Sequence, residues 1–221
     1  MIIAIDGPAG SGKSTIAKTI AEKLAFRYIN SGAMYRAVAW TAQNDGVDLH
    51  DRERVAQVAA ALDIEFIPHP EGQKVMVNGT DATQILKSEA VGKGAAVVAS
   101  QPKDREILTA IQRRMGREGK IVMEGRDIGT VVFPHADIKF YFDADPAERG
   151  KRRYLELKAR QRQVDMQKII AQIKQRDYED AHREIAPLVR AKDAIYVETT
   201  HLTIDEVVDK VVEHIRPAAN V

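Results

Sequence analysis

An apolar run, Ile2-Ile3-Ala4-Ile5, leads into Asp6-Gly7-Pro8-Ala9-Gly10-Ser11-Gly12-Lys13-Ser14 and then into an amphipathic stretch. Strand, glycine loop and helix in that order form a phosphate-binding loop. Glycines let backbone N–H groups turn toward phosphate oxygens, and the N-terminus of the following helix adds partial positive charge. Lys13 can reach the β and γ phosphates, and Ser14 can hold Mg²⁺. Ile16, Ile20 and Leu24 recur every fourth residue with Ala17 and Ala21 between them, so the helix leaving the loop buries one face. The chain is therefore expected to bind a nucleoside triphosphate through Gly7, Pro8, Ala9, Gly10, Ser11, Gly12, Lys13, Ser14 and Thr15.

A length of 221 residues suits one α/β domain with a modest insertion. Lys and Arg number 33 against 32 Asp and Glu, so no global basic field recruits nucleic acid or an anionic membrane. Cysteine is absent, which excludes disulfides, thiolate nucleophiles and Cys-based zinc sites and suits a reducing cytoplasm. The six histidines are too scattered to form a short-range metal pair. Asp6 interrupts the first apolar run early and no basic segment precedes it, so the run reads as a buried strand rather than a signal peptide. No window approaches the roughly 18 apolar residues of a membrane helix.

Further strands are expected at Arg27-Tyr28-Ile29, Ile121-Val122-Met123, Ile138 to Phe142 and Ala194 to Val197, alternating with helical patterns. That alternation implies a five-stranded parallel sheet flanked by helices, with ligands at the carboxyl ends of the strands. Between Leu62 and Thr83 the rhythm breaks: Ile64-Glu65-Phe66-Ile67 and Lys74-Val75-Met76-Val77 read as an inserted antiparallel hairpin, with Asn78-Gly79 as a turn. Helices are expected over Glu89 to Ala99 and Lys103 to Gly116, and a final one opens on a Thr203/Glu206 capping box.

A phosphate loop alone serves switches, motors and kinases. The chain has no Asn-Lys pair, which guanine-specific switches normally use, and its best candidate acidic strand ends in Glu124-Gly125-Arg126-Asp127 rather than in a water-activating acid. Phosphoryl transfer between nucleotides needs phosphate charge neutralised, in-line positioning and water excluded. Two arginine sets fit that need. Arg149, Lys151, Arg152, Arg153, Lys158, Arg160 and Arg162 follow Asp143-Ala144-Asp145-Pro146 as a candidate lid, with Arg149 and Arg153 favoured for lid roles. The second set is Arg36, behind a Ser31 expected to cap its helix, with Arg126, whose guanidinium can fork onto phosphate oxygens. Arg176, Asp180 and Arg183 recur at spacings that by themselves suggest an intrahelical salt-bridge ladder.

Together these residues resemble the bacterial cytidylate kinases, the CMP kinase branch of the nucleoside monophosphate kinases, essentially end to end. The resemblance rests on Asp6 to Ser14, Ser31 to Arg36, Gly125-Arg126-Asp127-Ile128-Gly129-Thr130-Val131-Val132-Phe133-Pro134, and Arg183 with Ala186-Pro187-Leu188. It implies a P-loop kinase fold with core segments 1–30, 117–145 and 190–221, a monophosphate-binding region with insertion over 31–116, and a lid with following helix over 146–189. It also implies a cytoplasmic, monomeric enzyme that phosphorylates CMP and dCMP with ATP and Mg²⁺. The expected catalytic residues are Lys13, Arg126, Arg149 and Arg153. Arg36 and Arg126 would hold the CMP phosphate, Arg105, Asp127 and Arg183 the cytosine and its surroundings, and Arg176 and Asp180 the ribose, with Ser31 also in the site. The family usually has serine where this chain has Ala96.

Overall fold

The computed structural model describes residues 1–69, 72–159 and 163–219. The described residues form eight strands and eight α-helices: β1 (Ile2–Asp6), α1 (Lys13–Leu24), β2 (Arg27–Asn30), α2 (Ser31–Asn44), α3 (Arg52–Ala61), β3 (Ile64–His69), β4 (Gly72–Val77), β5 (Thr80–Asp81), α4 (Glu89–Ala99), α5 (Pro102–Met115), β6 (Ile121–Gly125), β7 (Ile138–Asp143), α6 (Pro146–Ala159), α7 (Met166–His182), β8 (Ile195–Glu198) and α8 (Ile204–Ala219). They divide into two compact units, Met1–Tyr28 with Gly119–Val221, and Ile29–Glu118. No helix among the described residues is long and apolar enough to cross a membrane.

The first unit is built on a five-stranded sheet of order β2-β6-β1-β7-β8, β2 carrying the chain onward into the second unit. The β1–β6, β1–β7 and β7–β8 pairings are parallel, with Asp6 opposite Gly125 and Tyr141, and Tyr141 opposite Tyr196. This register brings the carboxyl ends of four strands, and the loops that follow them, to one edge of the sheet. Ile3 and Ile5 of β1, Ile16 and Ile20 of α1, Phe140 and Phe142 of β7, and Val207, Val211 and Ile215 of α8 form the core that anchors those ends. The Thr203/Glu206 capping box forms as the sequence suggests: Thr203 N–H donates to Glu206, and Glu206 N–H donates to the Thr203 hydroxyl.

The second unit packs α2, α3, α4 and α5 around Met34, Val38, Val55, Val98 and Leu108. Its antiparallel sheet has three strands, order β3-β4-β5, rather than the expected two. The added strand β5 is two residues long, too short for a hydrophobic pattern; Asn78 (φ 49°) and Gly79 (φ 77°) make the tight turn that sends it back along β4. Ser31 does not cap α2. It is the first helical residue, and the Asn30 side chain instead accepts from Ala33 N–H at 3.0 Å.

Asp104, in the first turn of α5, is fully buried, and neither of its carboxylate oxygens has a hydrogen-bond partner. Burial pushes its carboxyl up from the ordinary 3.8 to about 6, against a weaker opposing pull from Lys103. An acid whose folded value lies above its unfolded one binds more protons in the folded state between the two. Its contribution to stability is therefore fully present below 3.8 and is lost as pH rises through about 6. Asp104→Asn is expected to raise the thermal midpoint at pH 8 and to gain much less at pH 4. Equal shifts at both pH values would contradict the assignment.

Candidate active site

The loop between β1 and α1 starts with a close approach that only glycine permits. Gly7 has φ +145°, and a Cβ there would stand 2.1 Å from the Phe142 carbonyl oxygen of β7. No side chain caps α1 and no acid stands in its first turn, so its leading N–H groups face no competing carboxylate. Lys13 is 5% exposed; its Nζ donates to the Pro8 carbonyl at 2.8 Å, and Ser11 Oγ donates to the same oxygen at 3.0 Å. Burial, followed by the nearby charge of Arg126, lowers the Lys13 ammonium to about 7, with Glu124 pulling the other way. Ser14, which follows it, is exposed.

Asp6 ties this loop to the segment after β6. Its two carboxylate oxygens accept the N–H groups of Ile128 (2.8 Å) and Gly129 (2.7 Å), the opening of a π-helical turn over Ile128–Val132. Burial raises Asp6 to about 6, and those two backbone donors restrain the rise. At the end of β6, Glu124 is buried and accepts from the Tyr28 hydroxyl at 2.7 Å. Arg126, one turn of chain later, donates from Nε to Asp180 of α7 at 2.8 Å. Burial alone would raise Asp180; Arg126, Arg176 and Arg183 outweigh it and hold the carboxyl below its ordinary value. Arg183, just past α7, lies 3.7 Å from Asp127 and donates from Nε to the Ala186 carbonyl at 2.6 Å. The charges that spacing sets along one helix face thus act on one another and also reach out to the Arg126-Asp127 segment.

The arginines expected in a lid diverge. Arg149 is 3% exposed and its three nitrogens donate to the Ala144 carbonyl, the Ala9 carbonyl of the phosphate loop, and Asp177. Arg152 donates to the Thr199 hydroxyl and carbonyl. Arg153 stays at the surface, paired with Glu156 of its own helix, and Lys151 and Lys158 are exposed as well. Arg160 and Arg162 lie outside the described residues.

The second unit holds the remaining predicted site residues. Arg36 donates to the Leu86 carbonyl at 2.7 Å with its guanidinium beside Gly92. Arg105 is buried, donates to the Ala99 carbonyl and sits 5.4 Å from the centre of the Tyr35 ring. Ser31 is buried, whereas Ala96 is on the exposed side of α4. Ser100 spends its hydroxyl on the Val97 carbonyl, which leaves the missing Ala96 hydroxyl without a substitute there.

Sequence reasoning missed Asp177 and Thr199. Thr199 could have been found from the rule that places ligands just past strand ends, since it follows β8. Asp177 carries no such signal, because an acid among the charges of an exposed-looking helix is ordinary.

The family model described as Cytidylate kinase matches residues 3–217. Cytidylate kinase from Geobacillus kaustophilus (strain HTA426) is 46% identical over 211 residues, covering 96% of this chain and 94% of the relative. Cytidylate kinase from Bacillus subtilis (strain 168) is 44% identical over the same shares. Among solved structures, an uncharacterized protein from Eubacterium ventriosum ATCC 27560 superposes with TM-score 0.55 at 14% identity, covering 98% of each chain. A gluconokinase from Sinorhizobium meliloti 1021 gives TM-score 0.50 at 14% identity over 99% of this chain and 93% of its own. These two likenesses concern the fold alone, that of a phosphate-loop kinase.

The lowered Lys13 makes binding at the loop pH-dependent. A phosphate beside the ammonium favours its charged form, so binding above pH 7 must take up a proton, and below it Lys13 is already charged. Calorimetric titration with ADP in pairs of phosphate-free buffers of different ionisation enthalpy is expected to show uptake approaching one proton per site at pH 8 and disappearing near pH 6. A binding enthalpy independent of buffer at pH 8 would contradict this.

Proposed function

This chain belongs to the cytidylate kinase family, and on that premise we propose that it transfers the γ-phosphoryl group of ATP to CMP and dCMP, giving CDP and dCDP for pyrimidine nucleotide metabolism. The observation that carries the reading is a pair of cations on neighbouring segments: Lys13, buried at the start of α1 with its Nζ on the Pro8 carbonyl, and Arg126, half-buried just past β6 and donating to Asp180 at 2.8 Å. One cation on the donor loop and another on the following strand end are what transfer between two phosphates requires.

In this reading Gly7 to Thr15 hold ATP, the loop N–H groups and Lys13 bearing the β and γ phosphates. Arg126 and Arg36 hold the phosphate of the acceptor and Arg126 stabilises charge as the phosphoryl group passes. Arg153 is the lid arginine available from the surface, and Arg149 serves the donor side through Ala9. Among the described residues no cluster of acids and histidines could bind a metal by itself. Mg²⁺ carried by nucleotide phosphates needs no such cluster, and the exposed Ser14 hydroxyl suits it; the ion would neutralise phosphate charge.

Asp127, with Arg105 and Arg183, reads the base. Cytosine offers an N4 donor to a carboxylate, whereas uracil turns O4 toward it and leaves two acceptors facing. Arg176 and Asp180 attend the ribose, and Ser31 completes the acceptor set. The division into a core, a monophosphate-binding region over 31–116 and a lid over 146–189 follows from these roles. A cysteine-free composition suits the cytoplasm, and the proposed enzyme acts as a monomer.

A coupled assay with CMP, dCMP, UMP, AMP and shikimate as acceptors tests the assignment. CMP and dCMP are expected to turn over, with UMP poorer by about 10- to 100-fold, the cost of one unpaired acceptor. Asp127→Asn should narrow the gap between UMP and CMP, and Lys13→Ala should lower turnover by about three orders of magnitude while thermal unfolding persists. Turnover of CMP no better than that of UMP or AMP would refute the acceptor. Tight binding of ATP and CMP without CDP would make the chain a nucleotide sensor instead.

A further inference from the structure

The phosphate loop is held from outside as well as from within. The Ala9 carbonyl accepts from Arg149 Nη1 at 3.0 Å, and the Ser11 carbonyl accepts from Thr199 Oγ1 at 3.1 Å. In a planar trans peptide the C=O and the following N–H point in opposite directions. Each of these bonds therefore aims a donor too: the Gly10 N–H is turned away from Arg149, and the Gly12 N–H away from Thr199. The Pro8 carbonyl between β1 and these peptides turns the other way, to Lys13 and Ser11 Oγ. A phosphate is received by N–H groups and repelled by carbonyl oxygens, so the orientation of these peptide planes decides whether the loop is a cradle.

Each outer bond has a support of its own. Arg149 lies under the loop, where a Cβ on Gly10 would stand 3.1 Å from Arg149 Cβ. Its guanidinium is fixed at a second nitrogen by the Ala144 carbonyl (2.8 Å) and at a third by Asp177 Oδ2 (2.6 Å). Asp177 is held close by the contact of α6 with α7 at Gly150, where a Cβ would meet Ile170 Cγ1 at 2.3 Å. Thr199 is 3% exposed. Its single hydroxyl proton has two carbonyls in reach, Ser11 at 3.1 Å and Asp143 at 3.0 Å. The Asp143 oxygen also accepts the Thr199 N–H at 2.8 Å, so the hydroxyl proton is shared between Ser11 and an acceptor that already has a donor. Arg152 Nη1 donates to the same hydroxyl at 3.2 Å and fills its acceptor side.

We propose that Asp177 and Thr199 are positioning residues for the donor phosphates: Asp177 through Arg149, and Thr199 directly, set the peptide planes that aim the Gly10 and Gly12 N–H groups. This deepens the reading above and rests on its donor half alone. Both residues are assigned a role through the loop backbone and none in contact with substrate.

The test uses Asp177→Asn, Asp177→Glu, Thr199→Val and Thr199→Ser in the full chain. Asp177→Asn and Thr199→Val are expected to raise KM for ATP about tenfold, the loss of one well-placed charged or buried hydrogen bond, and to leave KM for CMP within about twofold. Asp177→Glu and Thr199→Ser should recover most of the loss. In ¹⁵N-glycine-labelled protein, a non-hydrolysable ATP analogue should shift the Gly10 amide of the wild type but much less that of Asp177→Asn, and likewise Gly12 for Thr199→Val. Unchanged KM for ATP together with wild-type glycine shifts in folded Asp177→Asn and Thr199→Val overturns the proposal. If Asp177→Asn does not fold, the Thr199→Val and Thr199→Ser pair decides by the same readouts. The analogue needs no acceptor, so a failed CMP assignment leaves this result standing, and an active CMP kinase with unperturbed variants sinks this inference alone.

Discussion

Two like charges on adjoining segments, Lys13 buried and Arg126 half-buried, are the constraint on which the rest of the first unit depends. Lys13 is buried behind the phosphate loop, Arg126 lies at the adjoining strand end, and each lowers the comfort of the other. Burial of such groups is tolerated only where opposite charge stands by. Glu124 supplies it for Lys13 and Asp180 for Arg126, while the Tyr28 hydroxyl bonded to Glu124 keeps that acid in place. In the proposed function, a phosphate arriving between loop and strand end would supply further negative charge where the fold has gathered positive charge. The binding energy is thus prepared before the ligand comes, which is the economy of a preorganised site.

Parallel strands make that preparation possible. With Asp6 opposite Gly125 in the register, a carboxylate at the end of β1 can reach the N–H groups that begin the turn after β6. Asp6 therefore does with hydrogen bonds what the sheet does with register: it sets the phosphate loop and the Arg126-Asp127 segment in one frame. The segments after β7 and β8 complete that frame from the far side, through Arg149 to Ala9 and through Thr199 to Ser11. The second unit is built differently, as helices around an aliphatic core, and it carries Arg36 and Arg105 on well-packed supports.

What could be read from the sequence were features with local causes. The phosphate loop is specified by glycines and one lysine within a few residues, the five parallel strands by short apolar runs, and the last helix by a capping box. The cap of α2 was misread because Asn30 and Ser31 are both good capping residues, and only backbone geometry decides between neighbours. Arg149 was legible as one of a basic cluster past β7 but not as a buried residue, since its partners at Ala9 and Asp177 lie 140 and 28 residues away. Helical spacing shows Asp180 beside Arg176 and Arg183, but its bond to Arg126, 54 residues distant, leaves no trace in the sequence. β5 and the π-helical turn escaped because each is too short or too irregular to leave a periodic trace. Long-range polar pairing was the missing information throughout.

The central claim is that donor and acceptor phosphates are held by one preorganised set of cations around Lys13 and Arg126. Competition by a bisubstrate compound, adenosine and cytidine joined through five phosphates, tests it most directly. The account predicts inhibition competitive against both ATP and CMP, with affinity well above that for either nucleotide alone. Competition against only one of them, at an affinity no better than the single nucleotide's, would contradict it.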